Sequence, residues 1–163
     1  MTLSRIPDRK VYRFSAPAVA ALAKLFAAHG YPQEVCLRAV EAVRFHTALR
    51  SALWYDWRQL FLWGARVNGV AGITLGDQVF LGSPEHLALP ALLAHEAMHV
   101  VQQRHRRLLP FFTRYGWQWA RLRLGGYSHQ DAYYALPDEA EARAIEVPAS
   151  TQLRHIQPWL IPA

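Results

Sequence analysis

Cysteine is all but missing from this chain: Cys36 stands alone. A lone cysteine excludes an internal disulfide and the zinc sites built from several thiolates, Cys₄ and Cys₂His₂. Lysine is nearly as scarce. Lys10 and Lys24 are the only two among 18 basic residues, so arginine carries the positive charge. No stretch approaches the ~18 uninterrupted apolar residues of a membrane span. The opening residues, Met1 to Lys10, lack the apolar run of a signal peptide. The expected location is the cytoplasm, or outside the cell by way of an injection machine that needs no such leader.

What is present describes a folded protein. The chain has 163 residues, of which 52% are hydrophobic and 18% charged. That length suits one compact unit and that composition argues against global disorder. The net charge of +6 permits attraction to nucleic acid, anionic membrane or acidic protein without selecting among them.

Residues 1–14 are polar and read as irregular. Ser15 suits an N-cap and Pro17 a first helical turn, with an alanine-rich helix from Ala18 to Ala28 closed by Gly30. A second helix is expected from Pro32 to about Ala52. Its Val35, Ala39, Ala42, Val43, His46 and Leu49 form one stripe, which makes His46 a core histidine. Leu53–Trp63 reads as core or a buried connector. Ile73–Leu75 and Val79–Leu81 form a hairpin around Gly76, and Val79–Leu81 is the expected free edge for pairing with a peptide. Further helices are expected over Pro90–Arg107, ended by Pro110, then over Phe111–Leu124, Ser128–Ala135 and Pro137–Glu146. Pro148, Pro158 and Pro162 mark an irregular tail. The expected organisation is an N-terminal helical region (1–60) packed on a core (61–150), with a tail (151–163). The expected fold class is α+β, mainly helical, with a small β-hairpin or sheet ahead of the central motif.

That motif is Leu92-Leu-Ala-His95-Glu96-Ala-Met-His99-Val-Val-Gln-Gln103. With eight His and seven Glu in the chain, chance gives roughly 0.02 occurrences of His-Glu-x-x-His, so its presence needs a reason. Residues four apart on a helix differ by about 40° in azimuth, so His95 and His99 project from one face and can supply two nitrogens to one Zn²⁺. Glu96 lies about 100° from His95, beside the metal without joining it, where it can serve as general base and then acid. His105 is spaced from His99 like a third histidine ligand. A continuous helix, however, carries it about 240° around, and Gln102 stands where a helix-breaking glycine would be needed. It reads as part of a basic helix end, Arg104–Arg107, suited to the helix dipole. The third ligand is expected from Leu136-Pro-Asp-Glu139-Ala-Glu141-Ala-Arg143, on a helix with alanines that permit close approach. Glu139 and Glu141 point about 200° apart, so one of them faces the metal, and spacing does not choose between them.

These residues resemble the predicted zinc metallopeptidase domain family associated with extracellular contractile injection systems of bacteria. The resemblance rests on the leucine-rich lead, His-Glu-x-x-His, the Val-Val-Gln-Gln that follows, and the upstream segment Gly72–Gly82. Tyr133, Pro137 and Glu139-Ala-Glu-Ala142 extend it downstream. It covers about residues 65–146 and leaves 1–60 untouched. It implies a zincin-like fold and a gluzincin site, with His95, His99 and Glu139 holding Zn²⁺ and Glu96 as the catalytic base. It also implies a peptide or protein substrate and injection-system components as partners. The sequence departs from broader gluzincins at Arg143, where an aspartate often holds a metal-bound histidine; Asp138 or backbone carbonyls are the substitutes. Tyr133 or Tyr134 is a candidate to steady an oxyanion. The alternative function is a non-catalytic zinc-bound assembly module, against which the retained Glu96 argues. Arg104, Arg106, Arg107, Arg114, Arg121 and Arg123 intermix with Phe111, Tyr115, Trp117 and Trp119. Their helical spacing places aromatics in the core and arginines at the rim, so nucleic acid is not the expected partner.

Overall fold

The computed structural model describes residues 10–47 and 71–163. The connector expected over Leu53–Trp63 lies outside them. The fold is mainly helical around a small mixed sheet, as α+β implies. The strands are β1 (Val11–Phe14), β2 (Arg44–Thr47), β3 (Gly72–Leu75), β4 (Gln78–Leu81) and β5 (Leu160–Pro162). The helices are α1 (Ala16–Ala27), α2 (Gln33–Ala42), α3 (Pro90–Arg106), α4 (Leu108–Leu124), α5 (His129–Tyr134), α6 (Pro137–Ala144) and α7 (Glu146–Arg154), with a 3₁₀ turn at Pro84–Ala88. Among the described residues no helix is long and apolar enough to cross a membrane.

The sheet runs in the order β3-β4-β2-β1-β5. Only β2 and β4 are parallel; the other neighbours are antiparallel. Strands from before residue 48 and after residue 159 thus extend the β3–β4 hairpin. The hairpin turns at Gly76, whose φ of 58° suits glycine. Among the described residues β3 and β5 are the sheet edges; Val79–Leu81 is not one, because β4 is covered on both sides.

Several expected elements differ. Val11–Phe14, read as irregular, is a strand paired with β2 and β5. The second helix stops at Ala42, where Val43 turns extended (ψ 137°), and Arg44–Thr47 enters the sheet. His46 is therefore a strand residue, stacked 5.0 Å from Phe80 and bonded to Gln78 at 2.6 Å, rather than a core histidine. The helix after His99 ends at Arg107, which takes a φ of 65°. Pro110 does not end it. It lies in the first turn of α4, where a missing N–H leaves no bond unmade. The Pro137 helix closes at Ala144, and Pro148 lies inside a further helix, α7, rather than in a tail. Of the aromatics assigned to the core on α4, only Phe111 is buried.

The core gathers Phe14, Leu22, Phe26, Phe45, Leu93 and Met98 between the sheet and the helices. Helix α3 runs through its middle, against α2, α6, α7 and β3. Every residue of α3 from Leu93 to Gln103 is buried. A helix enclosed on all sides must satisfy each polar group it carries, and α3 carries five: His95, Glu96, His99, Gln102 and Gln103. Their partners define the site.

Candidate metal centre

His95 and His99 stack one turn apart on α3, and α6 brings Glu139 against them. The Nε2 atoms of the two histidines are 3.2 Å apart. His95 Nε2 lies 3.3 Å from Glu139 Oε2, and His99 Nε2 lies 3.4 Å from Glu139 Oε1. All three side chains are buried. Glu141, about 200° around the helix from Glu139, is not in the cluster. It accepts hydrogen bonds from the Tyr31 hydroxyl at 2.7 Å and from Gln102 Nε2 at 2.9 Å. His105 is also elsewhere, edge-on to Tyr31 at 5.2 Å.

The outer ring nitrogens fix the tautomers. His95 Nδ1 faces Glu146 Oε1 at 2.8 Å, and His99 Nδ1 faces Gln102 Oε1 at 2.8 Å. Both partners are acceptors, so each Nδ1 carries a hydrogen and each Nε2 presents a lone pair to the centre. Two lone pairs and a carboxylate then converge in a buried space, an arrangement that calls for a positive charge among them.

A metal ion fits that requirement. For Zn–N bonds of 2.0–2.1 Å, two ligand atoms of a tetrahedral zinc lie about 3.3 Å apart; the two Nε2 atoms are 3.2 Å apart and His95 Nε2 lies 3.3 Å from Glu139 Oε2, whereas the 3.4 Å from His99 is to the other carboxylate oxygen. Glu139 Oε2 is buried and, the His95 ring nitrogen aside, has no hydrogen-bond partner among the described residues, whereas its Oε1 accepts from the Tyr115 hydroxyl at 2.9 Å. One oxygen is thus occupied by protein and the other left toward the histidines. Without a metal, a proton fills the same need. Burial opposes charge on His99, but the hydrogen bond and negative charge of Glu139 outweigh it and lift the imidazolium to about 9. Burial likewise opposes charge on Glu139, yet hydrogen bonds from His95 and His99 hold its carboxyl far below 4.5.

Glu96 points to the sheet side of α3. Its Oε2 accepts from the Thr74 hydroxyl at 2.5 Å, and its Oε1 has no hydrogen-bond partner among the described residues. Gly72 makes the room: a Cβ built there would stand 2.7 Å from Oε1. Burial, then the nearby Glu139 and Glu96 carboxylates, push the Tyr133 hydroxyl well above its usual range, and burial with Glu139 does the same for Tyr115. Both therefore stay protonated as donors. Tyr134 is occupied elsewhere, under Arg143 at 4.9 Å.

The supporting residues were not foreseen. Asp138 does not hold a histidine; it pairs with Arg106 and, at 3.4 Å, with Arg114. The roles belong to Glu146, at the start of α7, and to Gln102, three residues after His99. The adjacent glutamines work in opposite directions. Gln102 Nε2 reaches Asp138 O at 3.0 Å on α6, whereas Gln103 binds the hairpin through Gly76 N at 2.8 Å and Thr74 O at 3.2 Å. The only sequence signal was two adjacent amides on a helix with an apolar run. Arg104, expected in solvent, forks onto Asp77 of the hairpin turn with both contacts at 2.7 Å.

A family model described as the eCIS core domain matches residues 64–107. The match spans the hairpin and α3 and so includes His95, Glu96 and His99; Glu139 and Glu146 lie beyond it. It supports an association of the chain with extracellular contractile injection systems. No curated protein and no solved structure matches the chain.

Proposed function

We propose that this chain is a zinc-dependent metallopeptidase of zincin-like fold and gluzincin type, acting on a peptide or protein substrate alongside injection-system components. The carrying observation is the convergence of two imidazole nitrogens and a carboxylate, all buried, with one ligand atom of each within 4.8 Å of the others, and with an uncommitted carboxylate on the same helix as the histidines. His95, His99 and Glu139 hold the ion. Zinc in such a donor set supplies Lewis acidity, which lowers the pKa of water to about 7 and polarises a carbonyl.

The protein's own groups do the rest. Thr74 fixes one oxygen of Glu96 and leaves the other free to take a proton from water and pass it to a leaving amine. Tyr133 donates a hydrogen bond where negative charge develops on the carbonyl oxygen. The hairpin register puts Ile73 and Leu75 in bonds to β4, so the amide groups of Gly72 and Thr74 face the free edge. Gln103 occupies the Thr74 carbonyl, and the Gly72 groups, without a backbone partner among the described residues, suit an extended peptide.

Glu96→Gln is the deciding variant. Zinc content measured on freshly purified protein stays at the wild-type level, and cleavage of a labelled unstructured protein such as casein is lost. Cleavage at the wild-type rate would refute the mechanism. Zinc binding with no cleavage by the wild type either would favour the assembly module instead.

A further inference from the structure

Helix α4 contributes Tyr115 to the centre, yet one side of the helix is left bare among the described residues. Of its 17 residues only Phe111 is buried. With about 100° per residue, Leu109, Thr113, Trp117, Ala120 and Leu124 share the side opposite Phe111. All five are exposed; Leu109 is 77% exposed, Trp117 61% and Leu124 90%. An apolar stripe of this kind on a folded protein marks an interaction surface.

The charge around the stripe indicates its partner. Arg121 lies along one flank and Arg123 along the other, with guanidinium groups 5.5 Å from the Trp117 ring and 5.9 Å from the Trp119 ring. Arg107 stands exposed at the start of the helix. None of the three pairs with a carboxylate among the described residues. Between Glu96 and Asp131 the sequence carries six arginines and no carboxylate.

We propose that α4 is an in-plane membrane-binding helix, which lays its apolar stripe into the surface of a bilayer containing anionic lipid. Leucine and tryptophan enter the boundary between headgroups and acyl chains, while the flanking arginines reach sideways to lipid phosphates. Positive charge on both flanks matches a uniformly negative surface, whereas a protein groove presents mixed signs. Nucleic acid would use the arginines but offers nothing to Leu109 and Leu124. The helix lies on the bilayer and does not span it.

The test is co-sedimentation of the full-length protein with vesicles of phosphatidylcholine alone and of phosphatidylcholine mixed with phosphatidylserine. Binding is expected only to the mixed vesicles and weakens with salt. Trp117→Glu weakens it by about tenfold or more through lost apolar burial. Arg121→Gln and Arg123→Gln cost about fivefold each. Zinc content and thermal midpoint stay unchanged in these variants, and Leu124→Glu replaces Trp117→Glu if the latter does not fold. Failure to sediment with the mixed vesicles overturns the proposal. Equal binding to phosphatidylcholine alone, or unaltered binding by both glutamate variants, overturns it as well. So does retention of a single-stranded oligonucleotide by a protein that ignores the vesicles.

Discussion

Gly72 and Glu96 illustrate how one missing side chain shapes a reactive group. A methyl at position 72 would stand 2.7 Å from Glu96 Oε1 and 2.9 Å from its Cδ, so the carboxylate must move. Thr74 holds the other oxygen, which leaves little freedom to move without losing that bond. Gly72→Ala should therefore keep its zinc, because the added methyl meets Glu96 and none of His95, His99 and Glu139, while cleavage falls by about 100-fold, the scale of a 1 Å misplacement. Metal analysis beside a rate measurement separates the two effects; loss of both together would show that Gly72 supports the fold instead. Proton and metal also compete at this scale. The raised His99 stabilises the metal-free fold fully below its unfolded value of 6.5, and that contribution disappears as pH rises through about 9. The depressed Glu139 contributes above 4.5 and loses its share only as pH falls below that. Zinc must displace the His99 proton, so its affinity should rise about tenfold per pH unit between about 7 and 9. Chelator competition, corrected for the chelator's own protonation, measures this; an affinity flat across the range would mean that no proton leaves. That His95 and His99 share a face was legible from spacing, and that Glu139 joins them from the resemblance. Gly72, Thr74, Gln102 and Glu146 were not, because what they do depends on a strand, a helix end and a neighbouring helix that meet only after folding.

Helices set the orientation of the two histidines from outside. Glu146 opens α7 and takes the His95 Nδ1 hydrogen, whereas Gln102 on α3 takes that of His99 and donates to α6. Outer partners of this type are worth about 10–100-fold in metal affinity. Glu146→Ala should lose that factor while Glu146→Gln, which keeps an acceptor, recovers most of it. Gln102→Ala should lose both zinc affinity and thermal stability, since it also removes the amide donor to Asp138 O and leaves Glu141 with the Tyr31 hydroxyl alone. Zinc titration of the three variants checks the assignment; equal affinities for Glu146→Ala and wild type would remove α7 from the site. Element boundaries were less legible than element types. Around Val43 two periodicities overlap: Val35, Ala39 and Val43 fit a helical stripe, whereas Val43, Phe45 and Thr47 alternate and are all buried. Pairing of Arg44–Thr47 with both β1 and β4 decides for the strand, and no local signal carries that information. The hairpin was legible because Gly76 announces its turn, and α1 because Ser15, Pro17 and Gly30 bracket it.

Across the whole molecule the centre is a clasp between segments distant in sequence. Residues 64–107 hold two of the three donors. The third comes from α6, and the support for His95 comes from α7, which packs on both α3 and α1. A cation at this point would join α3 to α6 and, through Glu146, to the part of the core built with the N-terminal helices. Because the donors are assembled only when the chain is folded, zinc held as proposed would bind the native state and stabilise it by mass action, about 2.7 kcal/mol at a hundredfold excess over the dissociation constant. In a domain of this size each kcal/mol moves the unfolding midpoint by about 2–4 °C, so saturation at that level should raise it by roughly 5–11 °C. Thermal denaturation of chelator-treated protein with and without added zinc reads this shift. His95→Ala and Glu139→Ala should each abolish it although they sit on different helices, whereas Glu141→Ala should retain it. A shift that survives Glu139→Ala but vanishes in Glu141→Ala would mean that α6 turns its other glutamate to the ion, and the clasp described above would be wrong.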